Sequence, residues 1–123
     1  MSEDVKQATT GGKIADYEKK VQSLMQMGGE KALAKQRGGG KMTARERLDH
    51  LFDEGTFQEM QLFVKHRSSL FGMDKKDIAA DGVITGFGRV NGRTVFAASQ
   101  DFTSAGGTLG EMHAKKIWKV MDM

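Results

Sequence analysis

Apolar positions in the first half of the chain recur with helical spacing. From Ile14 to Leu24 they return every three or four residues, which predicts an amphipathic helix over 13–27. A second, short helix is expected at about 30–37. Thr43-Ala-Arg-Glu46 has the form of a capping box, in which the threonine hydroxyl and the glutamate carboxylate each accept an amide, and it predicts a helix over 44–53. Residues 1–12 are polar and are expected to be disordered.

The second half of the chain shows strand patterns and one strong turn signal. Residues 57–64 alternate between apolar and polar, which predicts a strand, and 65–80 read as an irregular connection. Asn91-Gly92 lies between two strand-like segments and predicts a β-hairpin with a type I′ turn. Consecutive apolar residues at 95–98 predict that the return strand is buried on both faces. A second capping box, Thr108 to Glu111, predicts the start of a last helix.

These elements indicate an α/β chain that belongs to a larger fold. A strand buried on both faces needs covering layers, and the last helix stops within an apolar pattern. We therefore expect a truncated chain, and the alternative is a complete α+β domain.

Composition limits the classes of protein to which the chain can belong. Its 123 residues suffice for one small domain. The absence of Cys excludes a disulfide framework, a thiolate zinc site and a cysteine nucleophile. The sequence has neither the apolar run of a secretory signal nor one long enough to span a membrane, so the cytoplasm is the expected compartment.

The net charge of +3 is concentrated in one segment, between Lys31 and Arg47. Such a segment could meet nucleic acid, a phosphorylated cofactor or an acidic partner, or it could simply be a solvated helical face. Aromatic residues do not interleave with it, which argues against a nucleic-acid-binding surface.

Candidate chemistry is sparse. Gly106-Gly107 lies between the return strand and the last helix, where free backbone amides could bind a phosphate or carbonyl oxygen. The alternative is that the glycines only form the turn from strand to helix. Gly86 and Gly88 within a strand indicate a close backbone approach. The three histidines lack metal-ligand spacing, and His113 is expected to be packed rather than near a ligand. Asp101 and Glu111 could in principle pair, but nothing indicates an acid/base couple, and Ser99, Ser104 and His113 do not form a triad.

A series of motifs resembles one known family. These are KMTARERL at 41–48, FVKHR at 63–67, LFGM at 70–73, GVITG at 82–86, and SQDFT at 99–103 followed by Gly106-Gly107. In this order and spacing they resemble the start of the carboxyltransferase (β) subunits of biotin-dependent acyl-CoA carboxylases. That family includes propionyl-CoA carboxylase, methylmalonyl-CoA carboxyltransferase and the methylmalonyl-CoA decarboxylase sodium pump.

The resemblance implies a partial crotonase-like (ClpP/crotonase) α/β fold, with N-terminal helices followed by a β-hairpin and a helix. It implies a helical segment at 13–55 and the start of a carboxyltransferase N-domain at 56–123. In the family, carboxybiotin held by a partner exchanges a carboxyl group with the α-carbon of an acyl-CoA such as propionyl-CoA or methylmalonyl-CoA, and backbone oxyanion holes do most of the catalysis. The segments that form those holes lie downstream of residue 123. The resemblance therefore assigns no catalytic residue and no metal, and the chain is expected to be inactive alone.

By the same resemblance, the turn after the hairpin lines the CoA channel. The expected CoA-contacting residues are Phe102, Ala105, Gly106 and Gly107. The segment from Lys31 to Arg47 is expected either to neutralise CoA phosphates or to dock a neighbouring subunit. Implied partners are the biotin carboxyl carrier and biotin carboxylase subunits, or membrane decarboxylase subunits, together with further copies of the full-length chain, and no nucleic acid. The alternatives are a small basic domain that binds nucleic acid or CoA and a docking module without a ligand.

Overall fold

The computed structural model describes residues 9–123, which form helices around a three-stranded antiparallel sheet. The helices are α1 (Thr10–Met25), α2 (Glu30–Gly38), α3 (Ala44–Leu51) and α4 (Glu111–Asp122), and the strands are β1 (Gln58–Met60), β2 (Val83–Val90) and β3 (Arg93–Gln100). The strand order is β1-β2-β3. The predicted α/β class is confirmed. In the described part of the chain, no helix is both long and apolar enough to cross a membrane.

Helix α1 starts earlier than the apolar pattern predicted. The Thr9 hydroxyl accepts a hydrogen bond from Gly12 N at 3.1 Å and caps the helix at Thr10, three residues before the expected start. Residues 10–12 form the first turn of α1, and residues 1–8 of the segment that was predicted to be disordered lie outside the described residues.

The capping box of α3 is confirmed. Glu46 N donates to Thr43 Oγ1 at 3.2 Å, and Thr43 N donates to Glu46 Oε2 at 2.8 Å. The hydrogen bond from the Thr43 amide, with the Arg37 guanidinium beside it, lowers the pKa of the Glu46 carboxyl. The helix ends at Leu51, two residues before the predicted end, because Phe52 is extended and Asp53 N donates to Arg89 O on β2.

The hairpin turn is confirmed as type I′, with φ of 50° at Asn91 and 79° at Gly92. Its two amides donate to one carboxylate: Asn91 N to Asp53 Oδ1 at 3.0 Å and Gly92 N to Asp53 Oδ2 at 2.9 Å. The chain that leaves α3 therefore holds the tip of the hairpin.

Burial in the hairpin is the reverse of the prediction. Residues 83–86 of β2 are buried on both faces, because β2 is the central strand. The return strand β3 lies at the sheet edge, where Val95 and Ala97 pack against the α3 core while Phe96 on the other face is 37% exposed. Exposed apolar side chains thus occur on β3, and also on α4, where Trp118 is 65% and Met121 79% exposed.

The core forms where α3 lies on the sheet, and glycines in β2 let the layers meet. Its buried residues are Ala44, Leu48, Phe52 and Ile84. A Cβ on Gly86 would lie 2.2 Å from Gln58 O, and one on Gly88 would lie 2.7 Å from Phe52 Cδ1. The predicted close backbone approach at these strand glycines is confirmed.

Two further boundary predictions were wrong. Strand β1 stops at Met60 rather than 64, because Gln61 has a φ of 60° and cannot continue an extended strand. Helix α4 begins at Glu111 with Gly110 as its cap, and Thr108 Oγ1 donates to Ala105 O at 2.9 Å instead of accepting a helix amide. The second capping box is therefore not formed.

Candidate functional site

A buried aspartate shapes the turn that follows β3. Asp101 is 2% exposed, and its Oδ1 accepts from Thr103 N at 2.9 Å and from Thr103 Oγ1 at 2.6 Å. Its Oδ2 accepts from Ser104 Oγ at 2.7 Å. A short acidic side chain that bonds to amides just ahead of it is a common turn former. Thr103 Oγ1 in turn accepts from Gly28 N at 3.2 Å, so the turn is tied to the loop after α1.

The glycine turn has an unusual backbone. Ala105, Gly106 and Gly107 have φ of 49°, 67° and 70°, all in the left-handed region. Gly107 N donates to Ser104 O at 3.1 Å, and three residues separate Gly107 from the start of α4. The expectation that Gly106-Gly107 stands directly at a helix N-terminus is therefore wrong, because the helix starts later than its capping pattern suggested.

A cavity of about 770 Å³ joins the glycine turn to the basic segment. Residues 97–103 with Gly106 and Gly107 form one part of its lining, and α3 with the segment that connects α2 to α3 forms another. Of the four predicted CoA-contacting residues, Phe102, Gly106 and Gly107 line this cavity. Ala105 does not. It lines a second cavity of about 820 Å³, with Arg67 and Asp81.

The cavity wall carries uncompensated positive charge. Lys41 and Arg47 both line it, and within residues 9–123 neither side chain makes an ion pair. Two other arginines of the segment form ion pairs within the chain. Arg37 pairs with Glu46 at 2.7 Å, and Arg45 makes a bidentate pair with Glu59 at 2.6 and 3.1 Å. The one carboxylate on the wall, Asp101, is occupied by Thr103 and Ser104.

Side chains suited to acid, base or nucleophilic chemistry are not gathered here. His113 is fully buried, with Nδ1 donating to Asp81 O at 2.8 Å, so the predicted packed role is confirmed. Ser99 Oγ donates to Ala44 O, away from that histidine. Glu111 pairs with Arg67 and Lys115 rather than with Asp101, and the hydrogen bond from Arg67 lowers the pKa of its carboxyl.

Among the described residues, no group of three or more His, Cys, Asp or Glu could hold a metal ion. The cavity thus offers an anion-binding wall and close backbone access to a ligand.

A buried lysine lies on α4. Lys116 belongs to the apolar stripe of the last helix and is fully buried, with Nζ 2.7 Å from Ala80 O and 2.5 Å from Val83 O. Burial lowers its pKa to about 8, although the nearby carboxylates of Glu59 and Asp81 oppose the shift. Its position on a buried helical face was the only signal in the sequence.

Comparison with known proteins identifies relatives over most of the chain. Residues 35–123 match the family model of the carboxyl transferase domain. The chain is 60% identical to methylmalonyl-CoA decarboxylase subunit alpha of Propionigenium modestum over 111 residues, which cover 90% of this chain and 22% of that protein. It is 51% identical to the propionyl-CoA carboxylase beta chain of Saccharopolyspora erythraea, covering 94% of this chain and 21% of that one.

Solved structures agree with these relatives. The crystal structure of transcarboxylase 12S with methylmalonyl-coenzyme A and methylmalonic acid bound superposes with a TM-score of 0.91 at 46% identity, covering 94% of this chain and 22% of that one. The beta subunit of geranyl-CoA carboxylase from P. aeruginosa, at 24% identity and a TM-score of 0.70, shares the fold. The predicted crotonase-like fold is confirmed.

The chain spans about a fifth of the length of the curated relatives that it matches. Its family model nevertheless covers the basic segment from Lys35 onward, the hairpin and the whole glycine turn. Sequence and fold thus lead to the same assignment: this chain belongs to the carboxyl transferase domain family.

Proposed function

We propose that the chain is the N-terminal part of an acyl-CoA carboxyltransferase subunit and that it binds the CoA portion of the substrate. The complete subunit would move a carboxyl group between carboxybiotin and the α-carbon of propionyl-CoA or methylmalonyl-CoA. The names of the relatives support this substrate class. Its strongest structural support is that Lys41 and Arg47 line the same cavity as Gly106 and Gly107.

In this proposal the two walls of the cavity have different tasks. Lys41 and Arg47 neutralise CoA phosphates, since guanidinium and ammonium groups are the usual phosphate partners. The glycine turn lets the ligand approach the backbone, and Phe102, 66% exposed, offers an aromatic face to its apolar parts. Ala105 lies on the opposite side of the turn, so its contact with CoA requires the ligand to reach the second cavity.

The contacts favour phosphate binding over subunit docking for the basic segment. Arg37 and Arg45 stabilise the fold through Glu46 and Glu59. Their pairing leaves Lys41 and Arg47 as the charges of that segment which face the cavity.

The combined substitution of Lys41 and Arg47 by alanine tests this assignment. We expect the Kd for CoA to rise about 10-fold, since two exposed charges contribute roughly 0.5–1 kcal/mol each. Calorimetric titration with CoA at two ionic strengths measures the effect, and the salt dependence should weaken together with the affinity. The matched control is Lys31→Ala with Lys35→Ala, which removes two charges that do not line the cavity. The phosphate role would be contradicted if both double variants lost the same affinity for CoA. It would also be contradicted if the Lys41 and Arg47 variant lost affinity for pantetheine, which lacks the phosphates of CoA.

Gly106→Asn tests the other wall with the side chain that strains a left-handed backbone least. Asparagine is the non-glycine residue that visits this conformation most readily, and no atom lies within 4 Å of a Cβ at this position. We expect a thermal stability that is only slightly lowered and a CoA Kd raised at least about 10-fold, because the new side chain occupies ligand space. The equivalent change in a full-length relative should raise the acyl-CoA KM. Unchanged affinity would remove the turn from the binding site.

We assign no step through biotin to this chain. Gly107 N and Thr108 N already donate to Ser104 O and Ala105 O, so this turn does not present that pair of amides to the ureido oxygen of carboxybiotin. Biotin would arrive on a carboxyl carrier, and biotin carboxylase or membrane decarboxylase subunits would complete the enzyme in the cytoplasm. Repeated copies of the full-length chain are also proposed, since the transcarboxylase 12S relative is described as a hexamer assembly. Within this chain, 13–55 would form the helical segment and 56–123 the start of the carboxyltransferase domain.

A further inference from the structure

A strained turn lies beneath the glycine turn. Ala80, Asp81 and Gly82 have φ of 51°, 50° and 73°, so three consecutive residues are left-handed and two of them are not glycine. Ala80 is 3% and Asp81 5% exposed. Non-glycine residues in this conformation persist only where their surroundings hold them.

Every carbonyl from Ala80 to Val83 accepts a hydrogen bond. Lys116 Nζ donates to Ala80 O at 2.7 Å and to Val83 O at 2.5 Å. His113 Nδ1 donates to Asp81 O at 2.8 Å, and Asp101 N donates to Gly82 O at 2.8 Å. His113 and Lys116 are one turn apart on α4, so one face of that helix makes three of these four hydrogen bonds.

The strained turn is in contact with the candidate CoA site. A Cβ on Gly82 would lie 3.6 Å from Ser104 O, and Gly82 O holds the amide of Asp101. Asp101 in turn holds Thr103 and Ser104, which precede the glycine turn. A continuous series of hydrogen bonds and contacts therefore connects Lys116 with Gly106 and Gly107.

We infer that Lys116 is a positioning residue for CoA binding: by donating to Ala80 O and Val83 O it fixes the left-handed turn on which the segment Asp101–Gly107 rests. Lys116 does not line the CoA cavity, so it acts through the turn and not by contact with the ligand. This inference rests on the proposed function for its effect on affinity, but its effect on the glycine turn can be measured separately.

The chemistry of the buried amine predicts the sign of a pH effect. The charged groups that act on it are Glu59 from β1, Asp81 from the strained turn and Arg45 from α3, and His113 lies on its own helix. An ammonium has three N–H donors for two carbonyls, whereas the neutral amine has two and forms weaker hydrogen bonds, so the hold on the turn loosens when Lys116 loses its proton. The pKa is about 8 in the folded chain and 10.5 ordinarily. Between these values the unfolded chain binds more protons, so the contribution of Lys116 to stability rises with pH in this window.

The test compares Lys116→Met with Lys119→Met in the 123-residue chain. Methionine keeps an unbranched stem but removes the side-chain donor to both carbonyls, so that Ala80 O keeps only the Val83 amide and Val83 O loses the Lys116 bond. Lys119 is exposed on the same helix. We expect Lys116→Met to shift the NMR amide signals of residues 101–107, to weaken CoA binding at least about 10-fold, and to remove the rise in stability between pH 8 and 10.5. Lys119→Met should leave all three as in the parent chain.

Amide signals of 101–107 that respond alike to both substitutions would overturn the inference. If the parent chain does not bind CoA, the proposed function fails while the amide signals still test the positioning role. If Lys116→Met does not fold, the parent chain is titrated instead. The amides of 101–107 should then shift with the same midpoint, near pH 8, as the Lys116 side-chain carbons, and amides that do not follow this titration would overturn the inference.

Discussion

Replacing Asp101 with alanine is expected to lower the free energy of unfolding by about 3 kcal/mol, because it leaves several donors in a largely buried turn without an acceptor. The lost acceptor serves Thr103 N, Thr103 Oγ1 and Ser104 Oγ. Ser104 is only 5% exposed, so water cannot readily replace the carboxylate. Urea denaturation followed by circular dichroism measures the change.

Two controls make the Asp101 experiment specific. Asp101→Asn keeps Oδ1 as an acceptor but places an NH₂ where Ser104 Oγ now donates, so a smaller loss is expected. Asp49→Ala removes an exposed carboxylate from α3 and should change the free energy of unfolding by no more than about 0.5 kcal/mol. If Asp101→Ala is as stable as Asp49→Ala, the carboxylate does not organise the turn.

Gly86→Ala is expected to be the second severe substitution, with a loss of about 3 kcal/mol, the upper end for overpacking a close contact. The new methyl group would lie 2.2 Å from Gln58 O and 2.8 Å from the ring of Phe57, so β1 and β2 would have to separate. The midpoint of chemical denaturation measures the loss. The strand-to-strand amide pattern in NMR spectra should change between 58–60 and 85–87, where the two strands pair.

Gly11→Ala is the matched control for Gly86→Ala. Gly11 lies in α1, and no atom lies within 4 Å of a Cβ there. Alanine should therefore stabilise the chain by up to about 1 kcal/mol through its helix propensity. The two glycine substitutions are thus expected to have opposite signs. A Gly86→Ala variant as stable as the parent chain would mean that β1 and β2 pack less closely than the structure shows.

Signals confined to a few neighbouring residues predicted local structure well. The box from Thr43 to Glu46 and the Asn91-Gly92 turn each depend on contacts within four residues, and both formed. The predicted capping box at Thr108 did not form, although its residue types were equally suitable. The Thr108 hydroxyl donates to Ala105 O, and helix α4 begins at Glu111, three residues after Thr108. Apolar residues at 95–98 could not reveal that β3 lies at a sheet edge, since strand order depends on the whole fold.

The candidate site was predictable only in part. Gly106 and Gly107 were found from their place between a strand and a helix, and the basic segment from its charge. That Lys41 and Arg47 line one cavity with those glycines depends on how α3 packs on β3, which local sequence patterns do not reveal. Burial of Lys116 and Asp81 likewise arises from contacts between residues more than thirty positions apart.

The carboxylate of Asp53 limits what can be done to the hairpin tip. Exposed two-residue turns are ordinarily favourable places to insert a tag or lengthen a loop. Here, however, the Asp53 carboxylate accepts hydrogen bonds from both turn amides. An inserted residue would break at least one of these bonds, and it would also free the chain segment that follows α3. For labelling or fusion in this part of the family, the hairpin tip should be left intact, even though it lies at the surface.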